Sequence, residues 1–273
     1  MSETFAHIFR KGSRTYFYSS VFFPKSIRDD VFKLYGFVRV ADDYVDTVPQ
    51  KVDEFYALKG KYERAVKGER TGNIVIDAFA DLMERKGFEK AWVDAFLNSM
   101  EADIHVSTYP TIEKLRTYLY GSAEVIGLMM AKVIGLPTRS YGAAMHLGRA
   151  MQYVNFIRDI SEDLALGRSY FPTKDMEEHG LVSLRPEYTS RNPSGFGRFV
   201  GRQLDRYLEW QREGEEGFGY IPKRFLIPIK TASEMYKWTA EVIRRNPMIV
   251  YALKVKPSVP RVVSRIGYNA LFA

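Results

Sequence analysis

The sequence predicts an all-α fold, and three observations carry that reading. Apolar residues recur with a 3.6-residue period along most of the 273 positions, alternating runs are short, and the strongest Gly and Pro signals fall between periodic segments. Hydrophobic residues make up 46% and aromatics 14%, enough to fill a sizeable core. No repeat of roughly 20–50 residues suggests a solenoid, and no composition shift suggests a linker. Residues 1–273 therefore read as one bundle-like domain.

The elements follow in order. Pro24 and the stretch from Ser26 to Asp30 introduce a helix over about 30–47, ended by Pro49. Helices are expected over 53–67, 74–86 and 89–105, and the most strongly periodic ones over 111–135 and 139–166. Gly135, Leu136 and Pro137 separate the last two. Pro186, Asn192, Pro193, Ser194 and Gly195 mark a loop over 180–195. Helices over 196–216 and 222–245 follow, the second closed by Asn246 and Pro247.

Composition narrows the function classes. The absence of cysteine excludes disulfides and thiolate metal sites. The first twenty residues have neither a continuous apolar core nor a small-residue cleavage site, so the expectation is a mature, cytoplasmic protein. No apolar stretch approaches the ~18–20 residues that a membrane span needs; the best, Val125 to Leu136, contains Lys132. The net charge is +7, and after Glu241 the chain has no acidic residue but has Arg244, Arg245, Lys254, Lys256, Arg261 and Arg265. Such an end fits either peripheral contact with anionic lipid or an ordinary solvated face. Aromatics are not interleaved with the basic residues, so nucleic acid is not an expected partner.

The chemistry is concentrated in two aspartate pairs, Asp42 with Asp46 and Asp159 with Asp163. Spacing i,i+4 puts each pair on one helix face. In the first helix, Val31, Leu34, Val38, Ala41 and Val45 form one stripe, and Phe32, Tyr35, Arg39, Asp42 and Asp46 form a second beside it. A solvent-facing helix would carry charge opposite its apolar stripe, so the second stripe is expected to face a cavity. The later helix repeats the design: Leu147, Met151, Val154 and Ile157 lie beside Gly148, Gln152, Asn155, Asp159, Glu162 and Asp163, with Arg158 adjacent. Local surface salt bridges would account for one such pair, but two pairs with this company point inward. Four buried carboxylates need positive charge between them, and a hard divalent metal carrying a phosphorylated ligand supplies it. Arginines would hold the remaining phosphate oxygens. A di-iron bundle would need Glu-x-x-His motifs, and none of His7, His105, His146 or His179 has a Glu three residues before it.

Tyr35 to Asp46 (YGFVRVADDYVD) resembles the first aspartate-rich motif of the squalene/phytoene synthase family. Gln152 to Asp163 (QYVNFIRDISED), followed by Gly167 to Pro172 (GRSYFP), is similar to its second. The resemblance extends from about Ser13 to Tyr251. It implies an isoprenoid-synthase bundle around a central cavity and head-to-head condensation of two prenyl diphosphates. By this resemblance Asp42, Asp46, Asn155, Asp159 and Asp163 would hold Mg²⁺, with Mn²⁺ as a substitute. Tyr35, Arg39, Gln152, Arg158, Arg168 and Tyr170 would attend the diphosphates. Ser13, Arg14, Thr15 and Tyr16 resemble a Ser-Lys-Ser-Phe flap that covers them. Tyr118 is the expected cation stabiliser, and Phe17, Phe22, Phe32, Met129 and Met151 join Tyr35 and Tyr118 as candidate cavity lining.

Tyr118 to Gly127 (YLYGSAEVIG) departs from the family's common Tyr-Cys-Tyr-x-Val-Ala-Gly-x-Val-Gly and looks more like microbial phytoene synthases. Glu124 is expected to pair with a cation, and Lys254 stands where the family often has Arg. The leading expectation is Mg²⁺-dependent condensation of two geranylgeranyl diphosphates, through a cyclopropylcarbinyl diphosphate, to phytoene. NADPH is not expected, since no Gly-x-Gly-x-x-Gly signature is present. Farnesyl diphosphate, giving squalene or dehydrosqualene, is the alternative within the family. A non-catalytic lipid-binding or assembly subunit is the alternative outside it.

Overall fold

The structure, a computed structural model, describes residues 5–8 and 20–272. Ser13, Arg14, Thr15, Tyr16 and Phe17 lie outside the described residues. Helices dominate, as the periodicity predicts, and among the described residues none is long and apolar enough to cross a membrane.

α1 (Lys25–Asp46) carries the first aspartate pair and is surrounded by α2 (Val52–Val66), α3 (Ile74–Lys86) and α4 (Lys90–His105). Val31, Leu34, Ala41 and Val45 of its apolar stripe are buried there, and Phe37 stacks on Phe79 with ring centroids 3.8 Å apart. α3 has the bounds the sequence predicts, because Asn73 accepts hydrogen bonds from the Val75 and Ile76 amides and Gly87 closes the last turn at φ 63°.

The expected helix over 111–135 is three pieces run together: α5 (Ile112–Leu119), a π-turn (Tyr120–Glu124) and α6 (Val125–Ile134). The expected helix over 139–166 is also divided, into α7 (Tyr141–Arg158) and α8 (Ile160–Ala165). Asp159 leaves helical geometry at φ −101°, ψ 16°, where Arg158 folds back onto its carboxylate. The bonds from the Asp159 amide to Asn155 O (2.8 Å) and from the Asp163 amide to Asp159 O (2.9 Å) survive the break. The chain bends without losing those two backbone bonds.

A short parallel pair, β1 (Thr108–Tyr109) and β2 (Ser169–Pro172), ties the end of α4 to the segment after α8. α9 (Thr173–Glu178) and α10 (Pro186–Thr189) lead to α11 (Pro193–Glu215). α11 starts three residues earlier than expected because Asn192 caps it, accepting from the Gly195 amide with Pro193 in the first turn. α12 (Lys223–Arg245) and α13 (Ile249–Ala252) follow. α14 (Val259–Phe272) is a helix that the sequence reading did not include; it lies on α12 through buried Val262 and Asn269.

Two apolar clusters form the core. One joins α1–α4 with α6, and the other joins α5, α7, α11 and the end of α12. α6 and α7 meet closely where α7 faces the π-turn and the start of α6. A Cβ on Gly127 would stand 2.2 Å from Ala144 O, and one on Gly148 2.5 Å from Ala123 O. Helices of both clusters, α1 and α6 on one side and α7 and α12 on the other, line the interior cavities.

Candidate active site

A polar chamber of about 1010 Å³ receives the charged stripes of both motif helices. α1 contributes Tyr35, Arg39, Asp42 and Asp46; α7, α8 and the bend between them contribute Gln152, Asn155, Arg158, Asp159, Glu162 and Asp163. Lys254 and Lys256 line it from the segment after α13. The side chain of Asp42 is 32% exposed, and the chamber is what it is exposed to.

The aspartates repel one another at close quarters. Burial and then the charge of Asp46 push the Asp42 carboxyl up to about 7, against the pull of Arg39. Burial, then Asp159 and Asp46, push Asp163 up to about 8. Arg39 bonds Asp42 at 2.9 Å and Asp43 at 2.5 Å. Arg158 grips Asp159 with two bonds of 2.7 and 2.6 Å, while Lys254 reaches Asp159 at 3.2 Å and also pairs with Glu162. The Lys256 ammonium is pushed below its ordinary value by burial and by the charges of Lys254 and Arg158. The chamber therefore carries carboxylates and cations side by side. Among the described residues, no three Asp, Glu or His side chains close up tightly enough to hold a metal ion by themselves.

Asp103 lines the chamber although neither motif contains it. Its carboxylate accepts from Tyr118 Oη at 2.7 Å and from Tyr170 Oη at 2.8 Å, and lies 3.8 Å from Arg168. Burial raises it to about 6, although Arg168 and both tyrosines pull the other way. Arg168 donates to Asp46 at 2.8 Å, to Tyr170 Oη at 3.1 Å and to Val45 O. It is buried behind the chamber lining, so the structure places it against the carboxylates and not in the open cavity. Tyr118, Tyr170 and Phe156 present rings to the chamber, with Phe156 stacked on Tyr170 at 4.2 Å and Tyr118 5.2 Å from Tyr170. The signal for Asp103 was an acidic residue on the buried stripe of α4, in line with Phe96 and Met100.

Two polar atoms of this region are buried without a hydrogen-bond partner, Asn155 Oδ1 and Ser122 Oγ. Ser122 sits in the π-turn, a device that re-aims side chains and recurs at functional sites. Both residues line the chamber and also an adjoining apolar tunnel of about 370 Å³. The two spaces adjoin, sharing Tyr35, Val38, Ser122, Gln152, Asn155, Ala232 and Tyr236 in their walls. The tunnel runs on past Leu147, Met151, Ile126, Met130 and Ile134. Of the aromatic and Met residues expected at the cavity, Tyr35, Tyr118 and Met151 line it. Phe32 and Met129 are instead enclosed in the first core cluster, and Phe22 lines neither space, a correction to the sequence reading. Glu124 meets the cation expected for it: Arg149 Nε donates at 2.7 Å, and the Arg149 guanidinium lies over the Trp210 ring at 5.1 Å.

Comparison with known proteins identifies a family and a fold. The family model described as squalene/phytoene synthase matches residues 9–263. A phytoene synthase of Rhodobacter capsulatus is 31% identical over 238 residues, spanning 86% of this chain and 70% of the relative. A 15-cis-phytoene synthase of a Paracoccus species is 25% identical over 267 residues, spanning 94% of this chain and 86% of the relative. Among solved structures, a dehydrosqualene synthase superposes with a TM-score of 0.86 at 21% identity, covering 99% of this chain and 95% of that one. A squalene synthase from Alicyclobacillus acidocaldarius gives 0.79 at 24% identity, covering 89% and 92%. These structural matches speak to the fold.

Proposed function

Because this chain belongs to the squalene/phytoene synthase family of prenyltransferases, we propose that it joins two geranylgeranyl diphosphates head to head to make phytoene, releasing both diphosphates. The observation that carries this reading is the carboxylate-and-cation chamber lying directly against the apolar tunnel, with seven lining residues in common. An amphiphile with a diphosphate at one end and a hydrocarbon chain at the other has the same two halves. The choice of phytoene rests on the relatives named phytoene synthase.

The donor set fits Mg²⁺, a hard cation that takes oxygen ligands and retains substrate phosphates. Asp42, Asp46, Asn155, Asp159 and Asp163 would hold it, and the unpartnered Asn155 oxygen and the crowded carboxylates support that assignment. When bound, it would neutralise charge on the leaving diphosphate oxygens. Arg39, Arg158, Lys254 and Lys256 supply donors to the same oxygens as charge develops there. Arg168 acts one layer back, orienting Asp46 and Tyr170. The rings of Tyr118, Phe156 and Tyr170 face the allylic cation left behind, and the apolar tunnel keeps water from it. The pathway runs through a cyclopropylcarbinyl diphosphate, whose second ionisation and rearrangement end in proton loss, so no nicotinamide is required.

Incubation with geranylgeranyl or farnesyl diphosphate, with and without Mg²⁺ and NADPH, tests this reading. Phytoene from the C20 substrate without NADPH is expected. Squalene or dehydrosqualene from the C15 substrate alone would move the assignment within the family, and no diphosphate release from either would end it. Asp159→Asn should fold normally and lose Mg²⁺-dependent diphosphate release; retained turnover would remove the metal assignment.

A further inference from the structure

Glu124 and Arg149 form a deeply buried ion pair. Arg149 Nε donates to Glu124 Oε1 at 2.7 Å, and the Arg149 and Glu124 side chains are 6% and 3% exposed. Neither residue lines the chamber or the tunnel. The pair stands one layer behind residues that line them both: Ser122 lies two positions before Glu124 in the π-turn, and Gln152 three positions after Arg149 on α7.

A buried ion pair is a poor stabiliser, because desolvating both charges costs about as much as their attraction returns, and a well-packed apolar pair often does as well or better. What such a pair supplies is direction. The π-turn meets α7 over small residues: a Cβ on Gly148 would stand 2.5 Å from Ala123 O and 3.6 Å from Glu124 Cα. That contact sets a distance, but it has no interlocking side chains to set a rotation. Arg149 is held from its other side, its guanidinium over the Trp210 ring of α11 at 5.1 Å, and Trp210 meets the Tyr153 ring edge-on at 5.0 Å. The bond to Glu124 therefore ties the turn to a fixed point.

What the turn presents is Ser122. Its Oγ is buried without a hydrogen-bond partner, and the residue lines chamber and tunnel alike, as Gln152 and Asn155 do. Rotation of the turn would carry Ser122 out of that shared wall. We propose that Glu124 and Arg149 are positioning residues: their pair fixes the rotation of the π-turn against α7 and so holds Ser122 where the two spaces adjoin. On the proposed condensation, the shared wall meets the reacting end of the prenyl chain, where a small misplacement slows turnover more than it weakens binding. The kinetic consequence rests on that reading; the placement of Ser122 does not.

Two exchanges at Glu124 separate position from charge. Glu124→Asp keeps the charge but shortens the arm by one methylene, so kcat for diphosphate release should fall at least about fivefold with KM little changed. Glu124→Gln keeps the arm and an acceptor oxygen but leaves the Arg149 charge uncompensated. It should unfold at lower urea than wild type while kcat stays near the wild-type value. Wild-type kcat in Glu124→Asp, or a greater loss in Glu124→Gln than in Glu124→Asp, would overturn the proposal and leave the pair a stability element. A second readout needs no turnover. The chain has no cysteine, so Ser122→Cys supplies a single thiol, slow to label because the oxygen it replaces is buried. Adding Glu124→Asp should speed that labelling at least about fivefold, and adding Glu124→Gln should not. An unchanged labelling rate with Glu124→Asp would also overturn the proposal. Failure of the prenyltransferase reading appears separately, as no diphosphate release from the wild type with the labelling difference intact.

Discussion

At the scale of single residues, Asn155 and Asp103 are opposite cases, one with a buried oxygen left unpartnered and one whose carboxylate holds buried donors together. Asn155 Oδ1 is buried with no partner, an expense that native structures rarely carry without a use. Asn155→Ala should therefore change unfolding free energy by less than about 1 kcal/mol, while turnover falls at least about tenfold, the scale at which even outer-shell partners of a metal act. Urea unfolding beside steady-state kinetics checks both halves, and a large stability loss would show that the amide is structural. Asp103 is the opposite case. It accepts from two buried tyrosines and faces Arg168, so Asp103→Ala strands donors and a buried cation. A loss of about 3–5 kcal/mol is expected, and Asp103→Asn should cost less because one oxygen acceptor remains. The motif aspartates were readable because their spacing is local. Asp103 was not, because Tyr118 and Tyr170 lie 15 and 67 residues away.

At the scale of elements, local signals located helices well where caps and breakers agreed. α3 has an Asn cap and a closing Gly, and its bounds match the sequence reading. The bend at Asp159 carries no Gly or Pro signal, and of the cations that meet its carboxylate Arg158 is the preceding residue while Lys254 comes from a distant segment. The π-turn likewise looks like ordinary helix in sequence, since one extra residue does not disturb the apolar pattern on either side. α14 was missed because Pro257 and Pro260 read as breakers in sequence, although Pro260 falls in the first turn where proline is tolerated, and Gly267 weakens the interior; its place on α12 rests on Val262 and Asn269. The pairing of α1 with α3 yields a pH prediction. Arg85 lies 2.6 Å and Lys86 3.3 Å from the Asp30 carboxylate. Burial pushes the Asp30 carboxyl upward, but bonds and charges from both cations outweigh it and hold it below its ordinary 3.8. An acid depressed in the folded state contributes stability above its unfolded value, and loses it as pH falls through the lower folded one. Asp30→Asn should thus be less stable than wild type at neutral pH, with the two converging below about pH 4. Thermal melts across that range decide it, and a constant difference would mean that packing, not charge, is the link.

At the scale of the whole molecule, the sequence supplied both polar halves of the site but not the space between them. On the proposed function, prenyl chain length would be set by tunnel depth, which depends on how closely α6, α7 and α12 approach, and no single residue announces that. The contacts at Gly127 and Gly148 set the spacing of α6 and α7 at backbone level, so depth is adjusted by the side chains that project into the tunnel. Met130 is such a side chain: it lines the tunnel, only partly buried, on the α6 turn beyond Ile126 and away from the aspartates. Met130→Trp would fill the tunnel there with little disturbance of the packed core, and a longer prenyl tail would meet the ring before a shorter one does. The ratio of kcat/KM for C20 over C15 diphosphate should then fall by about tenfold or more, the discrimination expected of a few methylenes in an apolar pocket. Diphosphate release from the shorter substrate should persist, because Asp42, Asp159 and their cations are untouched. An unchanged ratio in a folded variant would mean that the prenyl chain lies elsewhere, and that the chamber alone, not its continuation, defines this enzyme's substrate.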